Sequence, residues 1–225
     1  MGEYYKWVNV DRKEYISPND FNYGNKRWES MSRGNEFLNA LRELLSKEWK
    51  GDHVFFMGDD KGISADTENE TLRILYLDSV AFGYPEDGFD TVCESYKNVS
   101  AQFKAAETEA RQEILFYLED LEQGKPYNLF NEYDVDVTAP FDGLFTRTGR
   151  DFLYTINHTK KLFYSLQKTR ILSLDIKELE DSDPLPILMA YGRVSDTGDW
   201  VGDIIGVANE LPDGYDLLEE IRIDW

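Results

Sequence analysis

Two stretches at opposite ends of this chain carry the same short motifs in the same order, and no other feature constrains the fold as much. The run Tyr5 to Tyr15 can be laid on Leu153 to Phe163. Asn9 then meets Asn157, the pair Arg12-Lys13 meets Lys160-Lys161, and Val8 and Tyr15 meet Ile156 and Phe163. Further on, Trp49-Lys50-Gly51-Asp52 matches Trp200-Val201-Gly202-Asp203, each running into an apolar stretch. The interval from Asn to Trp is 40 residues in the first copy and 43 in the second. The unit reads as a hairpin plus one strand, made twice. A lone hairpin is marginal in water, so two copies are expected to bury each other's apolar faces. The repeated Asn and Asp have two readings: turn formers that bond their own backbone, or a duplicated ligand site.

The rest of the pattern gives an α+β class: two related antiparallel strand-rich units, 1–58 and 144–225, with a helical acidic insertion, 59–143, between them. In the first unit, Asp11-Arg12-Lys13 is the hairpin turn and Pro18 ends the return strand. Phe37, Leu38, Leu41, Leu44 and Leu45 share one helical face, which predicts a helix from about Asn35 to Lys50, stopped by Gly51. His53 to Met57 reads as a buried strand. In the middle segment Thr67 and Glu70 have capping-box spacing before Leu72, Leu75 and Val80, although Leu72–Leu77 also suits a strand. Val99, Phe103, Ala106, Ala110, Ile114, Tyr117 and Leu121 predict one long helix from Val99 to Gln123. Phe152–His158 and Leu162–Leu166 read as the second hairpin, with further strands inside Asp199–Asn209 and Leu217–Trp225.

Hydrophobic residues make up 41% and aromatics 14% of the 225 residues, enough for a sizeable core. The net charge is −20, and its distribution is uneven. Residues 1–58 are neutral, 59–143 carry −14, 144–170 carry +5 and 171–225 carry −11. A field of this sign repels nucleic acid and membrane phosphate and attracts basic surfaces. No apolar run approaches the roughly 18 residues that span a bilayer, and the first residues lack a signal-peptide pattern. The expected location is cytoplasmic. Cys93 is the one cysteine, so no intrachain disulfide forms; it reads as a small buried apolar residue.

Catalytic motifs are missing from the sequence. There is no nucleophile elbow, P-loop or G-x-G-x-x-G, and two His with one Cys are too few and too scattered for a zinc site. Asp59-Asp60 and the alternating pair Asp134 and Asp136 would suit Mg²⁺ or Ca²⁺, but close acidic pairs are ordinary in a chain with 44 acidic residues. No metal and no cofactor is expected. Basic groups near aromatics, Lys26, Arg27, Trp28 and Arg33, with Arg147, Arg150, Lys160, Lys161, Lys168 and Arg170, are expected to pair with the protein's own acid rather than with nucleic acid.

The segments V-N-x-x-x-K-E-Y-I (Val8–Ile16), W-K-G-D (Trp49–Asp52) with Gly58-Asp59 after it, I-N-H-T-K-K (Ile156–Lys161) and P-L-P-I-L (Pro184–Leu188) resemble an uncharacterised family of small proteins from bacterial phages and mobile elements. The resemblance covers roughly the first 60 and last 75 residues. It implies a bacterial host cytoplasm and carries no activity, so no functional residue is transferred.

The functional expectation is a non-enzymatic acidic protein. Its face would dock on a basic protein surface, such as a nucleic-acid-binding defence protein, by imitating phosphate charge as anti-restriction and anti-CRISPR proteins do. The groups expected to carry this are Glu107, Glu109, Glu113, Glu119, Asp120 and Glu122 on the long helix, with Asp134 and Asp136 after it. The alternative is a nucleotide- or metal-dependent ligand site in a cleft between the two units, built from Asn9, Asp52, Asn157, His158 and Asp203.

Overall fold

The computed structural model describes residues 3–106, 108, 152–174, 177–193, 197–211 and 213–223. In chain order the elements are β1 (Tyr5–Asn9), β2 (Glu14–Ile16), α1 (Glu36–Ser46), β3 (Val54–Gly58), α2 (Glu70–Phe82), α3 (Gly88–Ser95) and β4 (Lys97–Asn98). After them come β5 (Tyr154–Asn157), β6 (Leu162–Tyr164), β7 (Arg170–Ser173), the single turn α4 (Leu185–Leu188) and β8 (Ala190–Tyr191). The last are β9 (Ile205–Ala208), β10 (Asp216–Leu217) and β11 (Glu220–Ile223). The protein is α+β.

Both hairpins form where the sequence places them. β1 and β2 pair antiparallel with Val8 opposite Tyr15, and β5 and β6 pair with Ile156 opposite Phe163. Lys13 and Lys161 hold the left-handed corner of each turn, at φ 56° and 59°. Each first strand takes a third strand antiparallel, β3 on β1 and β9 on β5. Each second strand takes a short parallel strand, β4 on β2 and β10 on β6. The sheet orders are β4-β2-β1-β3-β8 and β10-β6-β5-β9, and β11 pairs with β7 separately. The acidic segment 59–143 thus supplies β4 to the first sheet, and the C-terminal segment supplies β8 to the same sheet.

Strand alternation sorts the core into two layers. Tyr5, Trp7, Val54 and Phe56 face α1 and join Tyr164, Trp200, Ile205, Ile221 and Ile223 beyond it. Val8, Val10, Phe55 and Met57 face the other way, against Leu72, Leu75 and Val92 of α2 and α3. The first sheet is therefore covered on both faces, which is why all five residues of β3 are buried. Helix α1 lies between the two sheets and buries Phe37, Leu38, Ala40, Leu41, Leu44 and Leu45. Each fully buried large side chain contributes about 1.5–3 kcal/mol.

Local chemistry moves several helix boundaries. Asn35 caps α1 by accepting from Leu38 N at 2.7 Å. The helix stops at Ser46 rather than Lys50. Trp49 N turns back to Leu44 O at 2.8 Å, and Gly51, at φ 82°, makes the turn after it. Asn69, not Thr67, caps α2 by accepting from Leu72 N at 3.2 Å. The helix runs through Leu72–Leu77, where a strand also fitted. The long helix does not begin at Val99: Val99 N donates to Tyr15 O at 2.9 Å, so the sheet edge claims that backbone. Ser100–Gln102 form a 3-10 turn instead, and helical backbone starts at Lys104. The remainder of that stretch, from 109, lies outside the described residues.

One ion pair is buried at the centre. Arg42 of α1 donates through Nη2 to Asp183 Oδ2, with the two side chains 7% and 0% exposed. Asp183 Oδ1 accepts from Tyr164 Oη at 2.6 Å and from Leu185 N at 3.1 Å. Asp183 N in turn donates to Met31 O at 2.8 Å. Burial alone would favour the neutral form of Arg42, but Asp183 reverses this and keeps the guanidinium charged. Burial and the Asp183 charge push the Tyr164 hydroxyl well above its ordinary range, so it stays a donor. Removing one partner strands the other charge in a dry core. Arg42→Met is therefore expected to lower unfolding free energy by about 3–5 kcal/mol, read as a shift in urea midpoint.

Candidate functional site

Helix α2 presents two different faces. Thr71, Leu72, Leu75 and Ser79 point into the core. On the outer side Arg73, Leu77, Val80 and Ala81 follow helical spacing and are all exposed, and Tyr84, just past the helix end, is exposed as well. Leu77 is 54% exposed, Val80 48%, Phe82 44% and Tyr84 40%. A helix on a water-facing surface would ordinarily carry polar groups there. The sequence expectation that Val80 shares the buried face with Leu72 and Leu75 is corrected: Ser79 takes that place, bonding Leu75 O at 2.9 Å.

Acidic groups flank this apolar strip. Gly83, at φ 98°, ends α2 and turns the chain into Tyr84-Pro85-Glu86-Asp87. Asp87 caps α3 by accepting from Asp90 N at 3.0 Å. Asp90 and Glu94 then lie one turn apart on α3, both exposed. Tyr84 Oη donates to Glu94 at 3.4 Å, and its ring packs on Phe82 with centroids 5.6 Å apart. The carboxylates crowd one another. Asp87 raises the Asp90 carboxyl above its usual range, helped by partial burial and by Glu94. Glu94 does the same to the Tyr84 phenol. Residues 59–96 contain ten acidic and two basic side chains, so the negative field here is local as well as global.

The repeated Asn and Asp residues meet in pairs. Asn9 Nδ2 donates to Asp52 at 2.9 Å, while its Oδ1 accepts from Arg12 N at 3.0 Å. Asn157 Nδ2 donates to Asp203 at 2.7 Å, and its Oδ1 accepts from Lys160 N at 2.9 Å. A cation closes each pair: Arg12 on Asp52 at 2.6 Å and Lys160 on Asp203 at 2.9 Å. Both Asn side chains are fully buried. In this geometry each Asn side chain spends its amide on a hairpin turn and on the Asp of the W-x-G-D turn, which ties the third strand to the hairpin.

His158 stands apart from these bonds. Its Nδ1 pairs with Tyr215 Oη at 2.9 Å, and its ring sits over Gly206, where a Cβ would come within 2.5 Å of Nε2. Burial lowers its pKa, with Lys161 and Lys50 adding to the effect. Among the five residues of the alternative ligand reading, the structure joins Asn9 to Asp52 and Asn157 to Asp203. It gives His158 a different partner. Glu107, Glu109, Glu113, Glu119, Asp120, Glu122, Asp134 and Asp136 all lie outside the described residues. Asp59 accepts from Tyr4 N at 2.9 Å and closes the sheet edge. Among the described residues no group of three or more His, Cys, Asp or Glu is placed to hold a metal ion. Cys93 on α3 is half-buried rather than buried.

Sequence reasoning missed the α2–α3 face. The signal was present, since Arg73, Leu77, Val80 and Ala81 are spaced four, three and one apart. It was masked by the competing stripe Leu72, Leu75 and Val80. Helix α3 is eight residues long and gave no periodicity to detect.

Comparison with known proteins adds no relative: no family model matches the chain, and neither a curated protein nor a solved structure shows significant similarity. Among the described residues no helix is long and apolar enough to cross a membrane.

Two measurements check the reading of the corners. Asn9→Ala and Asn157→Ala each delete a buried amide and its two hydrogen bonds, and each is expected to cost about 1–3 kcal/mol of unfolding free energy. For His158, the folded pKa lies below the ordinary 6.5, so the unfolded chain binds the proton more readily. Stability is therefore lost as pH falls through that range. Relative to His158→Gln, the wild type should lose stability between roughly pH 7.5 and 5.5 in a denaturation series.

Proposed function

We propose that this protein acts without catalysis, as an acidic binding protein that docks on a basic, nucleic-acid-binding partner protein. The observation that carries the reading is the α2–α3 face. It combines exposed apolar groups at the C-terminal end of α2 and just past it, Leu77, Val80, Phe82 and Tyr84, with crowded carboxylates at Asp87, Asp90 and Glu94. Binding interfaces take this form: an apolar centre that expels water and a polar rim that fixes orientation. Carboxylates held near one another, with the Asp90 proton affinity already raised, gain most from a partner that brings Arg or Lys. A surface shaped to bind phosphate supplies those cations, and complementary fields speed the encounter. The acidic surface then competes with nucleic acid for one groove. The resemblance of the two ends to small proteins of phages and mobile elements supports a bacterial setting. There the partner is a defence protein and the effect is inhibition, of the anti-restriction or anti-CRISPR type.

Competition is the test. The protein is immobilised, host lysate is passed over it at low salt, and retained proteins are assayed for duplex DNA binding with and without the free chain. The expected result is a retained DNA binder that the chain displaces from DNA, with capture falling steeply as salt rises. The variant D87N/D90N/E94Q should weaken displacement roughly tenfold or more. Capture that is indifferent to this variant and to salt, or a captured protein that still binds DNA in the presence of the chain, would overturn the reading.

A further inference from the structure

One hydroxyl ties the hairpin turn of the second unit to the chain entering β10. Tyr215 Oη lies 2.9 Å from His158 Nδ1 and 3.2 Å from Lys161 Nζ. The Lys161 ammonium also sits 4.8 Å from the centroid of the Tyr215 ring, and the His158 ring meets that ring edge to face at 5.8 Å. Lys161 grips the same stretch with its backbone, since its carbonyl accepts from Asp216 N at 2.9 Å. The strand held this way is short. β10 meets β6 only through Asp216 opposite Leu162 and Leu217 opposite Phe163. Leu218 after it is anchored more firmly, with its N on Phe163 O at 2.8 Å and its O taking the Thr169 hydroxyl at 2.7 Å.

Donor and acceptor roles follow from the groups present. An ammonium only donates, so Tyr215 Oη accepts from Lys161. The Tyr215 proton then goes to His158 Nδ1, which accepts only while the imidazole is neutral. The other side of the ring is fixed, because Nε2 packs over Gly206 of β9. A proton added at Nδ1 removes the acceptor. Tyr215 could then bond His158 only by accepting from two cations at once. The charges that act on the ring are Lys161 and, from the turn after α1, Lys50. Among the described residues neither lysine forms an ion pair. Asp213 and Asp216, on either side of Tyr215, are exposed, and Asp203 is taken by Lys160 and Asn157.

We propose that His158, Tyr215 and Lys161 form a pH-sensitive clasp, in which protonation of His158 loosens Tyr215 and releases the stretch from Asp213 to Leu217 from the edge of β6. Burial and the two lysines disfavour the charged ring. The closed clasp therefore binds the proton less readily than the open one, and acid drives it open. Leu218 is the fixed end, so β11 stays on β7, where four residue pairs hold it. Mild acid thus uncovers one edge of the second sheet and leaves its backbone groups free to pair. The clasp is separate from the α2–α3 docking face.

Native-state hydrogen exchange, followed by NMR and corrected for the intrinsic rate at each pH, reads the clasp at the Asp216 amide. Loss of one hydrogen bond corresponds to a change of about 2–10-fold. Protection of Asp216 is expected to fall by that factor between roughly pH 7.5 and 5.5. Urea below the unfolding transition should leave the Asp216 rate unchanged while it speeds exchange at Phe56 in β3, because the clasp opens locally and β3 opens only with the whole fold. His158→Gln should abolish the pH step, and Tyr215→Phe should leave Asp216 weakly protected at both values. The proposal is overturned if the wild type shows no step, or if His158→Gln or Tyr215→Phe keeps the full step. It is equally overturned if Asp216 follows Phe56 in urea, since Asp216 would then exchange only through global unfolding.

Discussion

The contact between Arg42 and Asp183 decides how the two sheets sit on α1. Asp183 belongs to the tight segment before α4, and it is reached by α1 through Arg42, by β6 through Tyr164 and by the loop before α1 through Met31 O. One carboxylate thus joins elements that are far apart in the chain. The arrangement only works when complete. A guanidinium and a carboxylate in a dry core each cost several kcal/mol in lost hydration, and their mutual attraction offsets this only with further hydrogen bonds in place. Tyr164 and Leu185 N supply those bonds. The pair is a weak source of net stability but a strong selector of arrangement, because any shift of α1 leaves a charge unpaired.

The layering around that contact explains why charge collects on the outside. Both faces of the first sheet are covered, by α1 and by α2 with α3, and α1 is covered on its far side by the second sheet. Nearly all the apolar positions of the strands and of α1 are consumed in doing so. Among the described residues, the outer side of α2 and the α3 turn are left to solvent. They carry crowded acid beside uncovered apolar groups. The proposed docking face arises where the core has no further use for a side chain.

Legibility in the sequence followed the range of the interactions. The hairpin turns were readable because they are local: Asn9 and Asn157 bond residues three positions ahead. The start of α1 at Asn35 was readable for the same reason. The end of α1 was not, since Trp49 folds back on Leu44 to bury its ring, which periodicity cannot foresee. Val99 looked like a helix residue from its spacing, and a sheet edge took it. Val80 looked like a core residue, and the rotation of α2 on the sheet put Ser79 there. Arg42 was indistinguishable in sequence from any other arginine on a helix.

The sequence by itself determined the α+β class, the two hairpins with their third strands, the turn-forming Asn at each hairpin and an excess of acid, because these depend on alternation, turn chemistry and composition. The tertiary structure alone decided that Asp183 is buried on Arg42, that Leu77 and Val80 face outward, and that Arg33 reaches the backbone oxygen of Leu166. These depend on contacts between residues 130 or more positions apart or on the rotation of a packed helix. Such contacts are fixed by which faces the core can cover, and no local pattern encodes that.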